Sequence, residues 1–190
     1  MRRVIVGITG ASGSIYGYAL LRALRDCRDV ETHLVLSAQS VRTIELETDK
    51  KRKDFESLAD VAHDDGDLAA PISSGSFVTD GMIVMPCSIK SASAVAHSFN
   101  TNLLVRAADV CLKEKRKLVL GVRETPLHLG HLRTLVQLAE IGAVILPLVP
   151  AMYAKPKTID DMVAQTIGKA LDLLGIEHAV SKRWSGPTSE

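Results

Sequence analysis

Arg3-Val4-Ile5-Val6-Gly7-Ile8-Thr9-Gly10-Ala11-Ser12-Gly13-Ser14-Ile15-Tyr16-Gly17 is the stretch on which the fold turns. Its first half is a short β-branched apolar run with no polar alternation, the pattern of a strand buried on both faces. Its second half is a turn of small residues that runs straight into a helical period over Ile15 to Leu24. The same grammar repeats downstream. Apolar runs at Thr32 to Leu36, Met82 to Met85, Leu118 to Val122 and Ala143 to Leu146 predict further buried strands. Helical spacing fills Ala38 to Leu46, Ser91 to His97, Leu103 to Lys113, Leu129 to Ile141 and Ile159 to Leu174. Strand and helix alternating over the whole length predict an α/β protein, a parallel sheet with helices on both faces. One domain over residues 1–184 with a frayed tail at 185–190 is the expected organisation.

Ser14, Ser37, Asn102 and Thr158 stand where N-caps would open helices, and Gly142 and Gly175 where helices would stop. Asp49 to Gly75 is charged and then rich in Ala, Pro, Ser and Gly. It shows neither period and reads as an excursion from the sheet, part of a site or a subunit contact.

Composition excludes several classes of function. The 190 residues carry 23 basic and 22 acidic side chains, with neither sign gathered into a block, so a nucleic-acid surface is not expected. The opening apolar run is too short for a signal-peptide core and no stretch is long enough to span a bilayer, which predicts a soluble chain with no membrane partner. Cys27, Cys87 and Cys111 are odd in number, widely spaced and set in apolar surroundings. They read as buried reduced thiols in a cytoplasmic protein, not as a disulfide framework or a zinc site.

In a doubly wound sheet the ligand crevice lies beyond the carboxyl ends of the strands, so the informative residues follow each apolar run. Thr9 to Gly17 lets backbone N–H groups approach an anion at a helix N-terminus, or is simply a tight turn. It lacks the dinucleotide fingerprint, because the second strand ends in Leu36-Ser37 where an NAD site would place an acid. Pro86-Cys87-Ser88-Ile89-Lys90-Ser91 is a second such turn, and together the two favour a phosphorylated ligand such as a flavin mononucleotide. Arg123-Glu124-Thr125-Pro126 offers either a phosphate clamp beside a proton-shuttling carboxylate in a dry crevice, or a solvated ion pair. Pro147 to Tyr153 delivers an aromatic hydroxyl that serves chemistry or packing. His128 and His131 could share a metal from one helix, but no acidic or Cys ligand lies near, and polar contacts are the expected role.

With these residues in view, Gly10-Ala11-Ser12-Gly13, Pro86-Cys87-Ser88, Arg106-Ala107-Ala108-Asp109-Val110, Leu112-Lys113-Glu114, Arg123-Glu124-Thr125-Pro126 and Tyr153 resemble, in order, the UbiX family of flavin prenyltransferases. The match runs from Arg3 to Trp184. The resemblance implies a single-domain Rossmann-like (flavodoxin-like) fold in a homo-oligomer, a dodecamer, that joins a dimethylallyl group from dimethylallyl phosphate to N5 and C6 of reduced FMN. The prenylated FMN would go to a UbiD-type aromatic acid decarboxylase, with a flavin reductase as supplier and no metal required.

Carried over by position, Gly10, Ala11, Ser12, Ser37, Ser88, Ile89, Lys90, Ser91 and Arg123 are implied to hold FMN. Tyr153 and Lys169, with Lys113 and Arg123, are implied to hold the prenyl phosphate. Glu47, Lys113, Glu124 and Ser12 are implied to carry the chemistry, while Arg106 and Trp184 match further family positions. Lys169 stands where many relatives have Arg, keeping the charge while losing bidentate geometry. Other readings of the same residues are an aromatic acid decarboxylase, a cysteine-derivative decarboxylase and a non-catalytic FMN carrier. The stretch Val84 to Ser88 departs from the Pro-Ala-Ser-Ala-Asn motif of the cysteine decarboxylases.

Overall fold

A computed structural model describes residues 1–181 and Gly186. Trp184 and the expected tail at 185–190, apart from Gly186, lie outside the described residues. The apolar runs become strands because each must bury side chains on both faces. They are β1 (Arg2–Ile8), β2 (Val30–Leu36), β3 (Val61–Asp64), β4 (Gly81–Cys87), β5 (Lys117–Val122) and β6 (Val144–Ile145). All pair in parallel, in the order β3-β2-β1-β4-β5-β6.

The helices are α1 (Ser14–Arg25), α2 (Ala38–Glu47), α3 (Arg52–Glu56), α4 (Ile89–Ala96), α5 (Leu103–Lys113), α6 (Leu129–Glu140) and α7 (Ile159–Leu174). The period of two along β1 sends Val4, Val6 and Ile8 to one face, where Leu20, Leu21 and Leu24 of α1 and Ile167 and Leu171 of α7 cover them. Ile5 faces the other way, into a core with Met82, Leu118, Ala92 and Val95 of α4, and Leu104 and Ala108 of α5. Both faces are covered, as a parallel sheet requires.

Ser37, Asn102 and Thr158 cap α2, α5 and α7, each side chain accepting an N–H from the first turn. Gly175, with φ 70°, closes α7, and Gly142 with φ 104° follows the end of α6. Ser14 is not an N-cap. It is the first helical residue, and Gly13 occupies the cap with φ 106° and no side chain to offer.

The excursion expected over Asp49 to Gly75 is also corrected. It contains α3 and then returns to the sheet as β3, paired with β2 from His33↔Val61 to Leu36↔Asp64. The join is reinforced by His33 Nδ1 lying 2.9 Å from His63 Nε2, with Glu31 Oε1 3.1 Å from the other His33 nitrogen. Burial pushes His33 below the ordinary imidazole range. Burial, then proximity to His33, does the same to His63. The cysteines are free, but Cys27 is only partly buried.

Candidate active site

The strand order reverses direction between β1 and β4, which pair directly, so the crevice opens beyond Ile8 and Cys87. Thr9 fixes the two sides of that opening. Its buried hydroxyl donates to Pro86 O at 2.7 Å and accepts from Ser88 N at 2.9 Å. The glycine-rich turn and the second turn are therefore held as one unit. Sequence reasoning did not single out Thr9; a threonine directly after a buried strand, where the turn begins, is the signal that was available.

The N-terminus of α1 is occupied by the chain itself. Glu47, at the end of α2, accepts from Gly13 N at 2.9 Å and from Ser14 N at 2.9 Å, and the Ser14 hydroxyl donates to the same carboxylate. This supplies the cap that Gly13 lacks. Burial raises the Glu47 pKa, but hydrogen bonds from the Ser12 and Ser14 hydroxyls and the two backbone N–H groups outweigh it and hold the carboxyl below the ordinary range. Glu47 and Ser12, far apart in sequence, are thus brought together.

Two further helix N-termini face the same opening. Ser37 caps α2, accepting from Ser40 N, while its own N–H donates to Ile8 O at 3.0 Å. Ser88 caps α4, accepting from Ser91 N at 3.3 Å, and its hydroxyl donates to Ser91 Oγ at 3.2 Å. Partial positive charge at both ends suits a phosphate. Ile89 is partly buried and Lys90 exposed on the first turn of α4. Cys87 is buried, which pushes its thiol up to about 12 and makes it an inert neighbour.

Arg123 N donates to Cys87 O at 3.0 Å, which sets this loop beside the second turn. Residues 123–130 are exposed, so the dry environment expected for Arg123 and Glu124 is absent in the isolated protomer. No ion pair joins the two among the described residues; Glu124 instead accepts from Thr125 N at 3.1 Å. His128 Nδ1 caps α6 through Gly130 N at 3.0 Å, and its ring lies against that of His131. Among the described residues no group of three or more His, Cys, Asp or Glu could hold a metal ion.

Tyr153 and Lys169 both line a cleft of about 400 Å³ between the segment after β6 and α7, with Gln165, Asp172 and Ser181 also on its walls. Lys113 does not join them. It ends α5, four residues before Lys117, which pairs with Gly81 at the start of β4. The crevice lies at the other end of these strands, about 20 Å away at 3.3 Å per residue. There Lys113 pairs with Glu114. Arg106, on the same helix, donates to Ser73 O at 3.1 Å and pairs with Asp109 at 3.2 Å.

The Flavoprotein family model matches residues 1–171. The chain is 56% identical to the flavin prenyltransferase UbiX of Escherichia coli K12 over 188 residues, 98% of this chain and 100% of that one. A crystal structure of AnUbiX in complex with FMN and dimethylallyl pyrophosphate superposes with a TM-score of 0.95 at 48% identity, covering 97% of this chain and 98% of that one. A dodecameric FMN-dependent UbiX-like decarboxylase from Escherichia coli O157:H7 also superposes at 0.95, with 49% identity over 97% of this chain and all of its own. With its switch-point crevice, its capped helix ends and this extent of identity, the chain belongs to the UbiX group of the Flavoprotein family.

Proposed function

We propose that this chain is a flavin prenyltransferase, transferring the dimethylallyl group of dimethylallyl phosphate to N5 and C6 of reduced FMN. The observation that carries the reading is the meeting of the α1, α2 and α4 N-termini at the switch point, beside a cleft that presents Tyr153 and Lys169. Reduced FMN supplies the nucleophilic ring positions. Gly10, Ala11 and Ser12 line its approach. Because Glu47 already fills the α1 terminus, the FMN phosphate falls to Ser37 and to the Ser88–Ser91 turn with Ile89 and Lys90.

Departure of the prenyl phosphate leaves negative charge on its oxygens as the carbon–oxygen bond breaks. Lys169, Arg123 and Lys113 stabilise that charge, and the Tyr153 hydroxyl orients the group. Glu47, held ionised at neutral pH, accepts a proton through the Ser12 hydroxyl, and Glu124 is the second carboxylate able to carry one.

Lys113 cannot serve its own protomer's crevice, so a neighbouring copy delivers it. The assembly is a dodecamer, as in the structural relative. An apolar stripe on α6, with Leu129 60%, Leu132 46% and Val136 57% exposed, is the face it buries. Arg123 and Glu124, just before α6, become dry at the same contact. Residues 1–184 act as one FMN-binding domain with 185–190 as tail. The free thiols fit a reducing cytoplasm, and no described helix is long and apolar enough to cross a membrane. A flavin reductase feeds the site and a UbiD-type decarboxylase takes the product.

The test is anaerobic incubation with reduced FMN and dimethylallyl phosphate, then with the diphosphate, followed by mass measurement of the released flavin. A gain of one C5H8 unit is expected; unmodified FMN with both donors refutes the transferase. Delivery of Lys113 in trans has its own test. Lys113→Ala and Glu47→Gln oligomers, each inactive, should regain about one intact site in four when dissociated and mixed equally. Mixtures that stay inactive refute delivery in trans.

A further inference from the structure

The chain does not leave the molecule where α7 ends. Ile176 N donates back to Leu171 O at 3.0 Å, and the segment after Gly175 folds against α7 as a strap. The His178 side chain is only 1% exposed, and its Nε2 lies 3.3 Å from Asp172 Oδ1. On the other side of the ring, Val180 N donates to Nδ1 at 3.2 Å. A nitrogen that accepts cannot carry the proton, so the neutral ring bears it on Nε2, towards the carboxylate. Nε2 makes no aligned hydrogen bond among the described residues. The contact is one of proximity, the ring's N–H dipole beside the carboxylate charge, a joint with some slack.

The strap crosses α7 at Gly168. A Cβ there would collide with Ser181 Oγ and lie 3.0 Å from His178 Cε1, so glycine is what lets the segment lie this close. Ser181 and Asp172 are also walls of the cleft that holds Lys169 and Tyr153. Lys169 and Asp172 are three residues apart on one helix face, near enough for the carboxylate to draw the ammonium to itself.

We infer that His178 and Asp172 are positioning residues. They clasp the strap over Gly168 so that it walls the Lys169 cleft, and His178 turns the Asp172 carboxylate aside so that the Lys169 charge is left for a phosphate. The inference rests on reading that cleft as the prenyl phosphate site. An unclasped carboxylate would act twice against a dianionic donor, neutralising its lysine and repelling it directly.

The experiment is steady-state prenyl transfer at saturating reduced FMN and varied dimethylallyl phosphate, with FMN affinity measured separately by flavin fluorescence. His178→Leu should raise the donor KM about tenfold while leaving kcat within about twofold and FMN affinity unchanged. His178→Gln, which restores an N–H near the Nε2 position, should recover most of the loss. Gly168→Ala should raise the same KM by displacing Ser181, and adding Ser181→Gly should bring it back.

An unchanged donor KM in both His178→Leu and Gly168→Ala overturns the clasp. Lys169→Ala tests the underlying reading alone: if it too leaves KM unchanged, the cleft is not the donor site. Should His178→Leu lose FMN binding as well, the Gly168→Ala and Ser181→Gly pair decides, and failure of the second change to rescue the first counts against the clasp.

Discussion

Thr9→Val removes one oxygen atom and keeps nearly the same volume, so it isolates the pin between the two turns. The Thr9 hydroxyl makes a 2.7 Å bond to Pro86 O and receives a 2.9 Å bond from Ser88 N, with 1% of the residue exposed. Pro86 O keeps a second donor, Thr9 N at 3.2 Å, so its loss is the smaller part. Ser88 N is left without an acceptor at a place that water reaches poorly. One net hydrogen bond at about 1 kcal/mol and one stranded donor at about 1–3 kcal/mol give a destabilisation of about 2–4 kcal/mol. For a chain of this size that corresponds to a fall in Tm of about 4–16 °C. Calorimetry and urea unfolding measure it directly. FMN affinity should fall as well, because Ser88 opens the α4 terminus. A Tm within about 1 °C of wild type would show that the hydroxyl is not what couples the turns.

The Glu47 carboxyl is held below its ordinary range in the folded chain, so its contribution is present above the unfolded pKa near 4.3 and is lost as pH falls through the folded value. Glu47→Gln should be less stable than wild type at pH 7, the gap closing in acid; a gap independent of pH in urea titrations contradicts the assignment. His33 and His63 are both depressed, so their neutral pairing stabilises the β2–β3 join above the unfolded value of about 6.5 and weakens as pH drops below it. The urea midpoint should decline from pH 7 to pH 5, with His63→Leu flattening the curve. Asp109 accepts from Ser98 Oγ, Asn100 Nδ2 and Arg106 Nη1 at 2.8, 2.9 and 3.2 Å. Asp109→Ala should cost about 1–3 kcal/mol in urea unfolding, and a neutral outcome would mean that this loop finds other partners.

The strands that bury both faces were legible because each carries a short apolar run, even β2, where Thr32 and His33 open the run, and the crevice followed from where those runs stop. β3 was not legible. Val61, Ala62 and Asp64 are exposed, so burial left no pattern in its sequence. The α1 cap was misread for a different reason: the acceptor that a helix start needs was sought at Ser14, beside it, whereas Glu47 supplies it from 33 residues away. The remoteness of Lys113 was implicit in the alternation itself. A helix joining two parallel strands must end where the next strand begins, at the end opposite the crevice. The His178 joint left no mark in the sequence, because its partner's role is set by how the chain folds back after Gly175.

The two margins of the sheet limit how one copy of this chain can meet another. One is β3, four residues long and carrying His63 and Asp64; the other is β6, two residues long. Neither presents a ladder long enough for another chain to continue the sheet. Growth by strand addition, one route to fibres, is therefore blunted at both edges. A contact between helix faces gives a closed ring only where the rotation it imposes divides a full turn, so the angle between faces, rather than supply, would set the number of subunits.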